Sequence, residues 1–180
     1  MAIDPIDRLK YPIGKALIPD QISETDVQKW ISILDSFPKK MRLITQNLSD
    51  DQLDTPYRPE GWTIRQVVHH VLDSHTNSYI RFKWTLTEDR PVIKAYDEKK
   101  WAALIDNEAP IDLSLVALES LHAKWVYLLK RLSPEDLKRV FIHPDSQEEV
   151  SLEKNIGIYA WHSKHHYSHI ANLLMDKGWL

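Results

Sequence analysis

The sequence predicts an all-α fold: a four-helix bundle with an extended N-terminal arm and a small hairpin or irregular excursion before the last helix. Three observations predict it. Four long stretches carry apolar residues at helical spacing, most of them open on a recognisable cap, and none shows the two-residue alternation of a half-buried strand. A chain of 180 residues with 43% apolar content and seven Trp can bury one real core, so residues 1–180 read as a single domain. It holds no internal repeat and no low-complexity tract.

Residues 1–22 contain Pro5, Pro12, Pro19 and Gly14, too much proline for a helix, and read as an extended arm laid over the domain. The first bundle helix begins after Ser23, which pairs with Asp26 in the pattern of a capping box, while Ile22 and Val27 have the spacing of a hydrophobic staple. Val27, Trp30, Ile31, Leu34, Met41, Ile44 and Leu48 carry its stripe to about residue 48, with Pro38 expected to kink or break the run. Residues 49–61 are loop, punctuated by Pro56, Pro59 and Gly61, with room for one turn over Asp50 to Leu53.

The second helix has the clearest start, with Thr63 and Gln66 as capping box and Trp62 and Val67 as staple. Its core stripe is Ile64, Val67, Val68, Val71, Leu72, His75, Tyr79, Phe82 and Leu86, ending before Pro91. A second stripe, Thr63, His70, Ser74, Asn77 and Arg81, falls within roughly 60° of arc. It lacks the Lys and Glu of a solvated face and suits the wall of a polar cleft. Asp97 to Ile105 predicts a short helix, and Leu115, Leu118, Leu121, His122, Trp125, Leu129 and Leu132 a long one, with Asp112 as its candidate cap. Ser133, Pro134, Glu135 and Asp136 open a brief helix, residues 140–150 suggest the hairpin, and the final helix runs from the Ser151 cap to Gly178.

Composition excludes several classes. With no cysteine the chain has no disulfide, no thiolate nucleophile and no thiolate metal site. Asp4, Pro5, Asp7 and Arg8 interrupt the region where a signal peptide needs an apolar run, and no stretch approaches a membrane span, so a cytoplasmic protein is expected. A net charge of -3 with interspersed signs offers nothing to nucleic acid.

The chemistry concentrates at the other end of the chain. His162, His165, His166 and His169 share roughly a 100° arc of the last helix, and a pair at i and i+4 can chelate one ion. Ile156, Tyr159, Ser163, Ile170, Leu173 and Leu174 mark the inward face, which contains His166 and borders His162, whereas His165 falls on the outer side. The 162/166 pair is therefore the expected chelate. A third ligand must come from another helix, and periodicity does not choose among His69, His70, His75, His122 and His143.

The stretches from Gly61 to His75 and from Tyr159 to Ile170 resemble the DinB superfamily, and within it the YfiT group of metal-dependent hydrolases. Tyr11-Pro12-Ile13-Gly14, Leu53-Asp54-Thr55-Pro56-Tyr57-Arg58 and Tyr96-Asp97-Glu98-Lys99 match that group too, so the likeness spans nearly the whole chain. The resemblance implies a four-helix bundle binding one divalent ion per chain through three histidines, here His70, His162 and His166. It also implies a homodimer. Many relatives place Arg-Gly-Gln after the last ligand where this chain has Tyr167-Ser168-His169, so no role is carried over to those positions.

The expected function is hydrolysis of a small molecule, with water activated at the site of His70, His162 and His166 by zinc or nickel. The alternatives are an S-transferase using a low-molecular-weight thiol of the bacillithiol type, and a non-catalytic metal-binding stress protein. No local motif supplies a general acid or base, and Asp73, Glu149 and Glu153 are not assigned that role. Asn77 and Arg81, on the stripe of His70, are the candidates for holding an anionic substrate.

Overall fold

The computed structural model describes residues 5–180. Eight helices and one two-stranded sheet follow in order: α1 (Pro5–Lys10), α2 (Glu24–Thr45), α3 (Asp50–Leu53), α4 (Ile64–Thr87), α5 (Glu98–Trp101), α6 (Ile111–Leu129), α7 (Pro134–Lys138), β1 (Val140–Ile142), β2 (Glu149–Ser151) and α8 (Leu152–Asp176). A 3₁₀ turn at Ile105–Glu108 lies between α5 and α6.

The four long helices, α2, α4, α6 and α8, form the bundle. Helix α2 packs beside α6 and α8, and α4 packs beside the same two, so α2 stands diagonally from α4. Helices consecutive in a simple up-down bundle are neighbours joined by short loops; here residues 46–63 and 130–151 are long connections that cross the end of the bundle. These connections carry α3, α7 and the hairpin, while α5 and the 3₁₀ turn lie between α4 and α6. The antiparallel hairpin pairs Phe141 with Val150, and Ile93 joins it by donating to the Ile142 carbonyl at 3.1 Å.

The capping signals are realised at Ser23, Thr63 and Ser133, where side chain and backbone bond reciprocally, and Ser151 caps α8. Some local expectations change. The arm is helical over Pro5–Lys10 before it becomes irregular, because a proline at the first helical position forfeits only an amide that has no helical acceptor. Helix α2 runs through Pro38 to Thr45 rather than breaking there. Asp112 does not cap α6: Pro110 occupies that position, and Asp112 binds Arg42 at 3.0 Å instead. The single short helix expected over 97–105 divides into α5 and the 3₁₀ turn.

The interior is divided. Within the bundle one apolar cluster contains Phe37, Met41, Val67, Val71, Leu115, Leu118, Ile170 and Leu173, and a second Ile31, Leu34, Phe82, Trp125, Leu152 and Ile156, while a small third one joins Ile93 to Phe141 and Val150 of the hairpin. Between the first two α4, α6 and α8 contribute His75, His122 and His162, a polar layer across the middle of the bundle.

Candidate metal centre

His70 stands on α4, and His162 and His166 stand one turn apart on the neighbouring α8. Their nitrogens converge: one ligand atom from each lies within 4.8 Å of the others. His70 Nε2 and His162 Nε2 are 3.3 Å apart. Two imidazole nitrogens bound at about 2.0–2.1 Å to one tetrahedral ion stand roughly 3.3 Å apart, so the spacing fits a shared cation. His166 Nδ1 is buried with no hydrogen-bond partner, and no carboxylate belongs to the cluster.

Burial keeps these rings neutral. Desolvation pulls His70 down to about 4, with the neighbouring His165 adding to the effect, and holds His162 and His166 well below the ordinary histidine value. A neutral imidazole keeps the lone pair a metal needs. The triad is thus in ligating form at neutral pH.

The three rings open into a cleft of about 440 Å³. Tyr11 from the arm, Tyr57 and Arg58 from the loop before α4, Trp62 beside its start, and Tyr96 and Glu98 near α5 line it with His165 and His169. Trp62 lies 4.5 Å from the His70 ring and Tyr57 stacks on His169 at 4.0 Å. Arg58 Nε is buried and unpartnered. Burial pushes the Tyr96 hydroxyl up to about 12, which leaves it a proton donor at neutral pH.

The DinB superfamily model matches residues 33–170. The chain belongs to the DinB superfamily. DinB relatives match it nearly end to end: a protein of Oceanobacillus iheyensis named "Putative metal-dependent hydrolase" is 49% identical over 170 residues, covering 94% of this chain and 98% of its own. One of the same description from Bacillus mycoides is 50% identical over 171 residues, covering 95% and 98%. Among solved structures, YfiT from Bacillus subtilis, described as "a probable metal-dependent hydrolase with an unusual four-helix bundle topology", superposes with a TM-score of 0.94 at 48% identity, over 96% of this chain and 99% of that one.

Within this DinB framework the remaining histidines have other occupations. His69 Nε2 donates to the Ala109 carbonyl at 3.0 Å and its Nδ1 accepts from Ser114 at 2.7 Å, so both nitrogens are used in fastening α4 to α6. His75 and His122 lie behind His162 in the polar layer, and His143 sits beside Asp145 in the hairpin turn. His165, placed on the outer side by its helical angle, is nevertheless buried, stacked on Trp161 at 4.4 Å and near Tyr11 of the arm. His169 donates from Nε2 to the Lys10 carbonyl at 3.1 Å, while Tyr167 and Ser168 face a different hollow beside α2.

The substrate candidates on the DinB polar stripe are not brought into the cleft wall. Asn77 donates to the Asp73 carbonyl at 2.9 Å, and Arg81, its Nε buried and unpartnered, is near enough to Tyr96 to influence its hydroxyl. Asp73 opens with Asp106 onto a separate hollow, Glu149 pairs with Arg90, and Glu153 pairs with Lys138 at 2.7 Å. The cleft residues Tyr11, Tyr57, Arg58, Tyr96 and Glu98 carry no helical periodicity. Their signal in the sequence is membership of the three short motifs outside the bundle helices.

Proposed function

We propose that this chain is a divalent-metal-dependent hydrolase of small molecules in the cytoplasm, with His70, His162 and His166 as the ligands of one ion. The observation that carries the reading is the meeting of three neutral imidazoles from two helices in an aromatic cleft, with no fourth histidine or carboxylate among the described residues joining them. Structural sites are typically closed by four protein ligands, whereas three leave room for reactants. An ion held by neutral imidazoles keeps its full charge and supplies a Lewis acid that activates water near neutral pH. Zinc and nickel both suit an all-imidazole donor set.

The chain's own side chains do the rest. Tyr96, protonated and facing the cleft, donates to a substrate oxygen as it gains negative charge. Arg58 attracts an anionic group through its unpartnered Nε, and Tyr57, Tyr11 and Trp62 hold the apolar part of the substrate and displace water from it. Arg81 acts on the cleft through Tyr96, while Asn77 remains engaged with its own helix. Glu98, a carboxylate lining the cleft, is positioned to receive a proton. The exposed apolar residues Leu113, Val116 and Tyr127 of α6 support a homodimer.

The test is a panel of small esters and amides offered to chelated protein and to protein reloaded with Zn²⁺ or Ni²⁺. Turnover should follow the metal, fall about 10²-fold in kcat for Tyr96→Phe, and lose substrate saturation for Arg58→Ala more than for Arg81→Ala. Activity untouched by chelation would refute the reading. Turnover that requires an added low-molecular-weight thiol would assign transfer in place of hydrolysis.

A further inference from the structure

On the side of His162 away from the cleft, three imidazoles and one carbonyl form a continuous ladder. His162 Nδ1 lies 3.1 Å from His75 Nε2, His75 Nδ1 lies 2.8 Å from His122 Nε2, and His122 Nδ1 lies 2.7 Å from the Leu34 carbonyl. Each link dictates the next. A carbonyl only accepts, so His122 carries its proton on Nδ1 and, being neutral, offers a lone pair at Nε2. His75 must then donate from Nδ1 and accept at Nε2. His162 in turn donates from Nδ1, which leaves its Nε2 unprotonated and facing His70 Nε2 at 3.3 Å.

The far end of the ladder is set by a proline. Pro38 lies inside α2 and has no N–H, so the carbonyl four residues earlier, that of Leu34, lacks its helical donor. His122 supplies the donor instead. The middle of the ladder is sealed: His75 is 0% and His122 2% exposed. Phe37 stacks on His75 at 5.5 Å, and Tyr159 and Trp125 meet it edge-on at 5.1 and 6.0 Å. Among the described residues no carboxylate is hydrogen-bonded to any of the three rings.

We propose that His75 and His122 are positioning residues, a ladder anchored on the Leu34 carbonyl that holds His162 in the tautomer with its proton on Nδ1 and its Nε2 lone pair toward the His70–His166 pair. In water a neutral histidine favours the proton on Nε2, which here would place a hydrogen on the nitrogen that has to ligate. The ladder reverses that preference before any ion arrives, as hydrogen-bonded partners behind metal-ligating histidines do generally. Its purpose rests on the metal reading above. Its existence is a property of the metal-free protein.

Nitrogen-15 NMR of histidine-labelled, metal-free protein reads the tautomers directly. The ladder requires His75, His122 and His162 all to be protonated on Nδ1 and bare on Nε2; any one of them in the opposite form overturns it. In His122→Leu, His75 loses its acceptor, and His162 should acquire a proton on Nε2 with Zn²⁺ affinity reduced about 10–100-fold. His122→Gln, whose amide oxygen can still accept from His75, should recover most of that affinity. Wild-type affinity in His122→Leu with the His162 tautomer unchanged would also overturn the proposal. Should that variant fail to fold, the wild-type spectrum still decides. A wild type with all three signatures that binds no Zn²⁺ would uphold the ladder and refute the metal reading, which keeps the two failures apart.

Discussion

His69 and His70 are adjacent in sequence, yet one fastens two helices and the other faces the cleft, because a step of about 100° turns neighbouring side chains to different surroundings. The angle between the histidines and the apolar stripe predicted the pairing of His162 with His166, whose rings the structure brings to His70, but it also turned His165 outward, and that ring is buried against Trp161 and near Tyr11. The third histidine was not legible, since His69, His75 and His122 are satisfied only by partners far away in sequence, such as Ser114, Ala109 and Leu34. Burial has a consequence for acid stability. His70, His122, His165 and His169 are held at about 4, and His75, His162 and His166 well below the ordinary value, chiefly by desolvation. The unfolded chain therefore binds more protons than the folded one below about pH 6.5, and stability present above that pH is lost as the pH falls toward 4. Each such histidine contributes a slope of up to about 1.4 kcal/mol per pH unit. Metal-free protein should accordingly unfold between about pH 6.5 and 5 when titrated by circular dichroism, whereas a flat melting temperature across that range would contradict the buried neutral rings.

The helices were readable because caps and apolar stripes are local signals, and reciprocal bonds at Ser23, Thr63 and Ser133 bear this out. The break that Pro38 offered does not occur, for a non-local reason: the carbonyl it strands on Leu34 is satisfied by His122 from another helix, so α2 continues. Gly157 on α8 shows the same dependence on neighbours. A Cβ there would meet the Trp30 ring and Ile18 at 3.0 Å, so α2, α8 and the arm approach closely only around a glycine. Gly157→Val should cost about 1–3 kcal/mol through this overpacking, seen as a lower denaturant midpoint at unchanged slope. An unchanged midpoint would mean that the arm and α2 yield freely at this contact.

At the scale of the whole molecule, the diagonal placement of α2 and α4 was hidden from the sequence, since stripes specify which face is buried and not which helix covers it. The cleft wall was hidden too, being assembled from the arm, the loop before α4 and the segment around α5. One ion would join α4 to α8 across the cleft. Saturation at about 100 times Kd stabilises a folded protein by about 2.7 kcal/mol, which for a domain of this size raises Tm by roughly 5–10 °C, and calorimetry with and without Zn²⁺ checks it. A homodimer would have twice the 21.1 kDa mass of the chain by light scattering. The most direct test of the central claim is a metal-binding titration of chelated wild type beside His70→Ala, His162→Ala and His166→Ala. The triad predicts one divalent ion per chain in wild type and loss of high-affinity binding in every variant, with His69→Ala retaining it. A wild type that takes up no ion, or a triad variant that binds as tightly as wild type, would contradict the account.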